Sequence, residues 1–317
     1  MEGLLLAVAV VIVTHNSAAC IGRCLDALAE MAPSTVVVVV DNASTDHTLD
    51  EVRARKVGTI MANQENRGFA AAVNQGVKAC EAECYLLLNP DVYLRTGIAP
   101  LVEASRQYGI AAGRLVDKTG KTQKGFTIRR FPTPLPLWFE LFGFNRMWPS
   151  NPVNRRYRYL DRDLDAGSVV EQPAGAFLMF RKDVWERLGG FDEGFRPIWF
   201  EDVDFCLRAT QLGYQPYYEP KVAAEHVGGH SIFRIGVGCR QLYWCASLLR
   251  YAAKHFPTVA YRGICVAVLL TSVPRAVAGM IQERSLSPIL SCAKIIGLAG
   301  RRLVSRRGAS DGPGRFS

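Results

Sequence analysis

The chain has 317 residues, of which 49% are hydrophobic and 21% are charged. This composition excludes a disordered chain, which would be less hydrophobic, and a polytopic membrane protein, which would carry fewer charges. The length is sufficient for one large α/β domain and an appendage.

The net charge of +9 is unevenly distributed along the chain. Residues 231–317 contain 13 Lys and Arg against two acidic residues, so the positive charge belongs to the C-terminal segment. A segment of this kind binds either nucleic acid or an anionic membrane surface. The apolar residues interleaved with the basic ones favour the membrane, and we expect no nucleic-acid partner.

The apolar run at residues 4–13 is the first predicted element. It lacks a preceding basic region and a following small-residue cleavage site, so we interpret it as a buried strand and expect no signal peptide. The nine cysteines show no zinc-site spacing and are expected to be reduced and buried, as in a cytosolic protein.

Strand-like and helix-like patterns alternate through the first 116 residues. Apolar β-branched runs occur at 8–13, 36–40, 84–88 and 110–116, and helical patterns occur near 17–31, 44–55, 68–82 and 97–108. This alternation predicts an α/β fold with a mostly parallel sheet flanked by helices.

Residues 117–170 have a different character, because five prolines interrupt regular structure and arginines alternate with aromatic residues. We interpret this segment as an insertion near the substrate. Its basic and aromatic residues could bind phosphates, or they could form a surface loop with solvated charges. The predicted catalytic domain spans 1–231, including this insertion.

The segment 232–317 is predicted to be a basic, apolar, helical C-terminal extension. Its most apolar stretch, 263–274, is short for a bilayer crossing and is flanked by arginines. A membrane-surface helix or re-entrant hairpin fits this pattern. The alternative is a helical extension that packs on the rest of the chain or on a second subunit.

Polar residues follow the first two predicted strands. Thr14 and Asn16 come after one strand, and Asp41 comes after the next. Ligands of open α/β sheets bind beyond the carboxyl ends of the strands, so these residues are candidate ligand contacts. Farther along, Asn66, Gly68 and Asn74 surround a predicted helix start, where backbone can approach a ligand closely.

Two later motifs contain the strongest candidates for chemistry. Asn89 and Asp91 follow a strand, and a carboxylate there suits Mg²⁺ or Mn²⁺ bridging a diphosphate, with His226 completing the metal site. Glu201, Asp202 and Asp204 place three carboxylates at a helix start beside Trp199. Such a cluster beside aromatic residues is typical of a general base.

In combination, these motifs resemble the family-2 glycosyltransferases with a GT-A fold, especially bacterial rhamnosyltransferase-like members. The matching segments cover about residues 8–231 in order: VTHN (13–16), DNASTD (41–46), ENRGFAAAVNQG (65–76), LLNPDV (87–92), PAGAFLMFRKDVWERLGGFDEGF (173–195), FEDVDFCLRATQLGY (200–214) and HVGGHS (226–231).

The resemblance implies a role for each matching residue. Asp41 would contact the donor's base, and Asp91 would be the last carboxylate of the metal-binding motif. Asn89 stands where many relatives have a second acid, which gives His226 more weight as a ligand. Asp202 would be the catalytic base with Glu201 beside it. The remaining positions would contact the donor (Thr14, Asn16, Asn66, Gly68, Asn74) or the acceptor (Ala174, Gly175, Ala176, Trp199, Asp204).

The resemblance further implies a metal-dependent, inverting enzyme on the cytoplasmic face of the inner membrane. The expected donor is dTDP-rhamnose, and the expected acceptor is a lipid-linked or polysaccharide glycan. A hexosyl or galactosyl transferase using a UDP-sugar is the alternative within the family. A non-catalytic nucleotide-sugar-binding protein is the alternative outside it, and self-association is left open. A nucleotidyltransferase is disfavoured, because THNSAAC at 14–20 lacks a Gly-rich phosphate loop.

Overall fold

A computed structural model describes residues 6–228 and 235–305 of the chain. The chain folds into two compact units. Unit 1 comprises residues up to 131, 156–193 and 201–231, and unit 2 comprises 132–155, 194–200 and the residues from 232 onward. The predicted division of the chain at residue 231 stays a prediction, and unit 2 includes two short segments from the predicted catalytic region.

Unit 1 is built on a mixed, mostly parallel sheet. The strands of unit 1 are β1 (Leu6–Thr14), β2 (Val36–Asp41), β3 (Thr59–Ala62), β4 (Ala82–Leu88), β5 (Val92–Leu94), β6 (Ile110–Val116), β7 (Ile128–Arg129), β8 (Ser168–Val169), β9 (Gln172–Pro173), β10 (Phe177–Arg181) and β11 (Tyr217–His226). The main sheet has the order β3-β2-β1-β4-β10-β6-β11-β5, with β8 also paired to β11, whereas β7 and β9 form a separate pair.

One central strand of the main sheet runs against its neighbours. Strands β1 to β4, β6 and β11 are parallel to one another, and β10 is antiparallel to both β4 and β6. The register places Phe177 opposite Leu88, so the segment before β10 lies beside the segment after β4. The α/β class with a mostly parallel sheet is therefore confirmed.

Helices cover both faces of this sheet. The helices of unit 1 are α1 (Ala18–Met31), α2 (Thr48–Ala54), α3 (Phe69–Lys78), α4 (Ala99–Tyr108), α7 (Pro152–Tyr157, shared with unit 2), α8 (Lys182–Leu188) and α9 (Glu201–Gln211). Adjacent residues of β4 point to opposite faces, because strand side chains alternate. Leu86 packs in a cluster with Leu101 of α4, and Leu87 packs in one with Val73 of α3 and Phe205 of α9.

Unit 2 is helical in its described residues. It contains α5 (Pro134–Leu141), α6 (Phe144–Met147), α10 (Val237–His255), α11 (Thr258–Glu283) and α12 (Ser287–Val304). Helix α11 packs against α5, α10 and α12. Close backbone approach is visible at Gly279, where an added Cβ would lie 3.1 Å from Val237 and 3.2 Å from Pro288.

Helix α11 is longer than the apolar stretch from which it was predicted. Residues 263–274, which alone are short for a bilayer crossing, lie inside a helix of 26 residues. By length and composition alone this helix could cross a membrane, with a mean hydropathy of 2.0 over its most apolar window. However, 44% of that window is buried within the protein.

Candidate active site at the carboxyl edge of the sheet

Asp41 lies at the carboxyl end of β2 and is almost completely buried. Its Oδ1 accepts hydrogen bonds from the hydroxyls of Thr14 at 2.8 Å and Ser44 at 2.5 Å, and its Oδ2 accepts one from the Ser44 backbone N–H at 2.9 Å. Next to it, Asn16 has a φ of 51° and accepts a hydrogen bond from the Thr45 N–H at 2.8 Å. These bonds join the loops that follow β1 and β2.

The loop before α3 is fastened to the same edge. Asn42 Nδ2 donates to Oδ1 of Asn66 at 3.0 Å, and that oxygen also accepts the Gly68 N–H at 2.9 Å. Gly68 has a φ of 85°, a conformation that residues with a side chain rarely adopt. The structure therefore brings Asn66 and Gly68 beside the Asp41 loop, where a nucleotide was predicted.

Asn74 has all its polar atoms engaged within the protein. Its Nδ2 donates to the Phe191 carbonyl at 2.8 Å and to Glu193 Oε1 at 3.0 Å, and its Oδ1 accepts the Phe191 N–H at 2.9 Å. Asn74 thus holds the turn after α8. A cavity of about 260 Å³ lies beside it, lined by Met61, Arg67, Ala71, Asn74, Gln75, Lys78, Ala79 and Glu193. The predicted contact of Asn74 with a nucleotide stays a prediction.

Asp91 and His226 are brought together by strand pairing. His226 ends β11 and pairs with Val92 of β5, so its ring lies next to the carboxylate before that strand. The distance from His226 Nε2 to Asp91 Oδ1 is 3.8 Å, which is too long for a hydrogen bond. Both side chains are buried.

Gln123 fixes the tautomer of His226. The Gln123 amide donates from Nε2 to the His226 carbonyl at 2.7 Å, so its Oε1 faces His226 Nδ1 at 2.9 Å. An acceptor at that position requires Nδ1 to carry the proton, which leaves a lone pair on Nε2 facing Asp91. Burial lowers the pKa of His226, although the Asp91 carboxylate opposes this effect, and the ring is therefore neutral at pH 7.

These groups fit a divalent cation that a substrate helps to hold. A carboxylate oxygen and a neutral imidazole nitrogen are suitable ligands for Mn²⁺ or Mg²⁺. In addition, Asn89 Oδ1 is buried and has no hydrogen-bond partner among the described residues. No group of three or more His, Cys, Asp and Glu that could hold a metal occurs in 6–228 and 235–305, so substrate or water oxygens would have to complete the coordination.

Asp202 is held at the first turn of α9 by backbone donors. Its Oδ2 accepts the Gly175 N–H at 2.9 Å and Gln172 Nε2 at 3.3 Å, and its Oδ1 accepts the Val203 N–H at 2.8 Å. A Cβ added to Gly175 would lie 2.9 Å from the Asp202 Cβ, so only glycine allows this approach. Burial raises the pKa of Asp202, and the Gly175 and Val203 donors and the Arg129 charge oppose the rise.

The segment Ala174–Ala176 connects the two acidic sites. The Asn89 N–H donates to the Ala176 carbonyl at 3.0 Å, and the Gly175 N–H donates to Asp202. Asp91, two residues after Asn89, and Asp202 are therefore anchored to the same short segment before β10. The two acidic residues, 111 positions apart in the chain, are thus linked through backbone contacts of one segment, and their predicted convergence on a single sugar stays a prediction.

Glu201 is buried beside Asp202 at the start of α9. Its Oε2 has no hydrogen bond among the described residues. Burial raises the pKa of Glu201 well above its usual range, and the charge of Asp202 raises it further. Two adjacent carboxyl groups in one buried site will not both ionise readily, so a charged Asp202 favours the protonated form of Glu201.

An aromatic stack lies between His226 and Arg129. The Phe126 ring is parallel to the His226 ring, with centroids 4.7 Å apart, and the Arg129 guanidinium lies 5.7 Å from the Phe126 centroid. Arg129 Nε donates to the Gly125 carbonyl at 2.7 Å. The motifs did not indicate Gln123, Phe126 or Gln172, and Arg129 was noted only as one of several basic residues of the insertion.

Asp204 and Trp199 occupy different surroundings from Asp202. Asp204 is fully buried and forms an ion pair of 2.7 Å with Arg208, which also donates to the carbonyls of Leu188 and Gly190. This geometry is typical of a structural pair, and the predicted acceptor contact of Asp204 stays a prediction. Trp199 belongs to unit 2, where it has a φ of 79°.

Several solved structures share this fold at low sequence identity. A mannosyltransferase from Pyrobaculum calidifontis in complex with GDP-Man and Mn²⁺ superposes with a TM-score of 0.52 at 18% identity, covering 94% of this chain and 76% of that one. GalNAc-T7 with UDP, GalNAc and Mn²⁺ superposes with a TM-score of 0.54 at 15% identity, covering 80% and 51%. These likenesses confirm the GT-A glycosyltransferase fold.

Curated proteins are similar to this chain at modest identity. Rhamnosyltransferase WbbL of Escherichia coli K12 is 26% identical over 171 residues, which is 52% of this chain and 60% of WbbL. The N-acetylglucosaminyl-diphospho-decaprenol L-rhamnosyltransferase of Mycobacterium tuberculosis is 28% identical over 242 residues, covering 71% and 77%. The pre-mycofactocin glycosyltransferase of M. tuberculosis is 26% identical, covering 84% and 53%.

A family-level match covers more than half of the chain. The sequence model of the family "Glycosyl transferase family 2" matches residues 9–188. These residues include the Asp41 loop, the Asp91 turn and the segment Ala174–Ala176. The fold and the relatives agree with this match. The chain belongs to glycosyl transferase family 2.

Proposed function

We propose that this protein is an inverting, metal-dependent glycosyltransferase that moves rhamnose from dTDP-rhamnose to a lipid-linked cell-envelope glycan. The observation that carries this proposal is the anchoring of Asp91 and Asp202 to one segment, Ala174–Ala176. A donor diphosphate beside Asp91 would place its sugar toward Asp202. The segment Ala174–Ala176 would border the acceptor.

Asp202 would act as the general base. Its carboxylate is pre-oriented by the Gly175 and Val203 N–H groups, and its raised pKa makes it a better proton acceptor than an exposed aspartate. Asp202 would take the proton of the acceptor hydroxyl as that oxygen attacks the anomeric carbon opposite the leaving diphosphate. A single displacement inverts the configuration and needs no covalent intermediate.

Asp91 and His226 would hold a Mn²⁺ or Mg²⁺ ion together with the donor phosphates, and the buried Oδ1 of Asn89 could accept a hydrogen bond from a water bound there. When bound, such an ion neutralises charge that develops on the departing nucleoside diphosphate. Gln123 keeps His226 in the tautomer that a metal ligand requires. Asp91 and His226 are themselves buried, which would limit the access of bulk water to an ion held between them.

The donor and acceptor are inferred from relatives. Two of the similar proteins are rhamnosyltransferases by name, and the mycobacterial one is named for an N-acetylglucosaminyl-diphospho-decaprenol acceptor. Such an acceptor lies in the membrane, which would place this enzyme at the cytoplasmic face of the inner membrane. A UDP-hexose donor is the second candidate within the family.

A donor screen tests the proposal. A ligand that binds the folded state stabilises it by an amount that rises with the logarithm of its concentration divided by its Kd, so at equal concentration dTDP-rhamnose with Mn²⁺ or Mg²⁺ should give the largest thermal shift among nucleotide sugars. EDTA should remove most of that shift. Transfer from the best donor to a polyprenyl-diphosphate-linked sugar, followed by product NMR, would then report activity and anomeric configuration.

Each result has a defined consequence. A larger shift with UDP-galactose or UDP-glucose would identify a UDP-hexose, and not dTDP-rhamnose, as the donor. Binding without transfer or donor hydrolysis would identify a non-catalytic nucleotide-sugar-binding protein. A product with retained configuration would exclude the single displacement, and the absence of any shift with every donor would overturn the proposal.

A further inference from the structure

Helix α11 has two apolar faces, and only one of them is covered. The residues that pack within unit 2 include Ile264, Val268 and Thr271. The other face carries exposed apolar side chains at spacings of three, four or seven residues, which place them on one side of a helix: Val259, Val266, Leu270, Val273, Val277 and Ile281. The exposed face runs along almost the whole helix.

Aromatic residues of the insertion extend this surface. Trp138 of α5 lies against α11, because an added Cβ at Gly263 would be 3.5 Å from its ring. Trp138 contacts Phe142, with ring centroids 5.7 Å apart, and Phe142 contacts Phe144 at 6.2 Å. Met147 and Trp148 continue the exposed cluster, at 72% and 59% exposure. Tryptophan is enriched where a protein meets the membrane–water interface.

The start of α12 adds to the same kind of surface. Leu286 and Leu290 are both 70% exposed, and Ile289 is 46% exposed. Helix α11 packs against both α5 and α12, and each of the three helices exposes large apolar side chains. Monomeric soluble proteins rarely expose large apolar patches without a binding role.

The charge of unit 2 indicates which kind of partner would contact its exposed apolar side chains. Its described residues contain twelve Lys and Arg against two acids, Glu140 and Glu283. Both acids accept hydrogen bonds within the protein, from Asn145 Nδ2 and the Val237 N–H. Exposed basic residues accompany the apolar ones on these elements: Arg146, Arg262, Arg284, Lys294 and Arg301. Apolar side chains beside unopposed positive charge complement an anionic lipid surface.

A second copy of the chain fits this surface less well. In a two-fold dimer each face meets its own copy, so these basic residues would approach other basic residues. A full crossing by α11 also fits less well, because its covered face packs against α10 and α12 and could not contact lipid.

We propose that the exposed face of α11, the aromatic cluster 138–148 and the start of α12 form one docking surface for an anionic bilayer. This deepens the proposed function, since a lipid-linked acceptor requires the enzyme to lie at a membrane. The aromatic cluster then has a lipid-facing role, which differs from the phosphate-binding or loop roles considered from sequence.

Vesicle co-sedimentation of the full chain, without donor or acceptor, tests the surface separately from catalysis. Vesicles of phosphatidylcholine with about 30% phosphatidylglycerol should bind the protein at least tenfold more tightly than phosphatidylcholine alone at low salt. Leu270→Glu and, independently, Met147→Glu should each lower the partition coefficient at least tenfold. Leu212→Glu is the matched control, because Leu212 is 55% exposed in unit 1 and should have no effect.

Circular dichroism should show that the variants remain folded, which is expected because both replaced side chains are exposed. Equal partitioning of Leu270→Glu, Met147→Glu and the unmodified chain would overturn the docking surface while leaving the proposed activity untouched. If alkaline carbonate does not extract the bound protein from the vesicles, α11 spans the bilayer and the proposal of surface docking is wrong. If Leu270→Glu abolishes self-association of the chain but leaves vesicle binding unchanged, this face is a dimer interface and the docking surface is wrong.

Discussion

The backbone N–H of Gly175 donates a 2.9 Å hydrogen bond to Oδ2 of Asp202. Through this contact a residue before β10 orients a carboxylate at the start of α9. Since the neighbouring Ala176 carbonyl accepts the Asn89 N–H, the contact also determines how Asp202 is placed relative to the Asp91 turn.

Replacing Asp202 by Asn should abolish transfer while preserving donor binding. The amide cannot accept the acceptor's proton, and loss of a general base costs about 10²- to 10⁴-fold in rate. The measurement is kcat for transfer together with donor affinity by calorimetry. Glu201→Gln is the neighbouring control and should retain far more activity. Substantial turnover by Asp202→Asn would remove Asp202 from the role of base.

Replacing Asp204 by Asn should instead reduce stability. Asp204 is buried and paired with Arg208, and breaking a buried pair by removing one partner costs about 3–5 kcal/mol. Chemical denaturation should show this loss for Asp204→Asn but not for Asp202→Asn. If Asp204→Asn unfolds like the unmodified protein yet loses acceptor affinity, Asp204 contacts the acceptor as the sequence motif predicted.

Replacing Gly175 by Ala should lower kcat with little change in donor affinity. The added Cβ would lie 2.9 Å from the Asp202 Cβ and 3.2 Å from its Oδ2, so the carboxylate must move. A displacement of about 1 Å at a catalytic group can cost about 10²-fold. Gly300→Ala provides a control for glycine replacement, because nothing lies within 4 Å of its added Cβ and its φ is not positive. Unchanged kcat in Gly175→Ala would show that Asp202 tolerates the shift.

Replacing Arg129 by Met should move the acidic limb of the kcat/KM profile to higher pH. The positive charge of Arg129 favours the ionised form of Asp202 and so lowers the pKa of that carboxyl. Without it the pKa rises, Asp202 is protonated at higher pH, and activity is lost earlier on acidification. Arg130→Met should not shift the limb, because Arg130 pairs with Glu171 at 2.9 Å. Equal profiles for both variants would contradict the assignment.

Replacing Gln123 by Ala should weaken metal binding about 10- to 100-fold, since groups that orient a ligand histidine contribute this much to affinity. Gln123 donates to the backbone carbonyl of His226 at 2.7 Å and accepts from Nδ1 of its ring at 2.9 Å. Mn²⁺ titration in the presence of nucleoside diphosphate should show the loss, and EDTA should abolish transfer by the unmodified chain. Gln211→Ala, an exposed glutamine of α9, should bind Mn²⁺ normally. The same affinity in both variants would exclude the role of Gln123.

The sequence predicted the strands that are buried on both faces and failed where this signal was weak. The run at 36–40 is a buried strand with no polar alternation, and it appears as β2. Strand β3 was missed because Thr59–Ala62 is short and only half-buried. The length of α11 was underestimated because the prediction followed the apolar stretch alone. The helix continues on both sides of that stretch through residues that are partly polar or basic.

Residues of the candidate site could be predicted where several side chains of similar chemistry lie in one segment. Three acids within four residues indicated Asp202, and a carboxylate after a strand indicated Asp91. Gln123 and Phe126 could not be found this way, because their roles arise from contacts with His226, about 100 residues later in the chain. A glutamine in a loop has no local property that distinguishes it from a solvated one.

The antiparallel strand β10 has a consequence for biosynthesis. Strands β4 and β6 are separated in the finished sheet by a strand that is translated only when residue 181 has been made. Until then both have unpaired backbone edges, which are prone to pairing with other chains. A nascent chain in which β10 has not yet been made therefore exposes the edges of β4 and β6. Rapid elongation or a chaperone would limit aggregation at this stage.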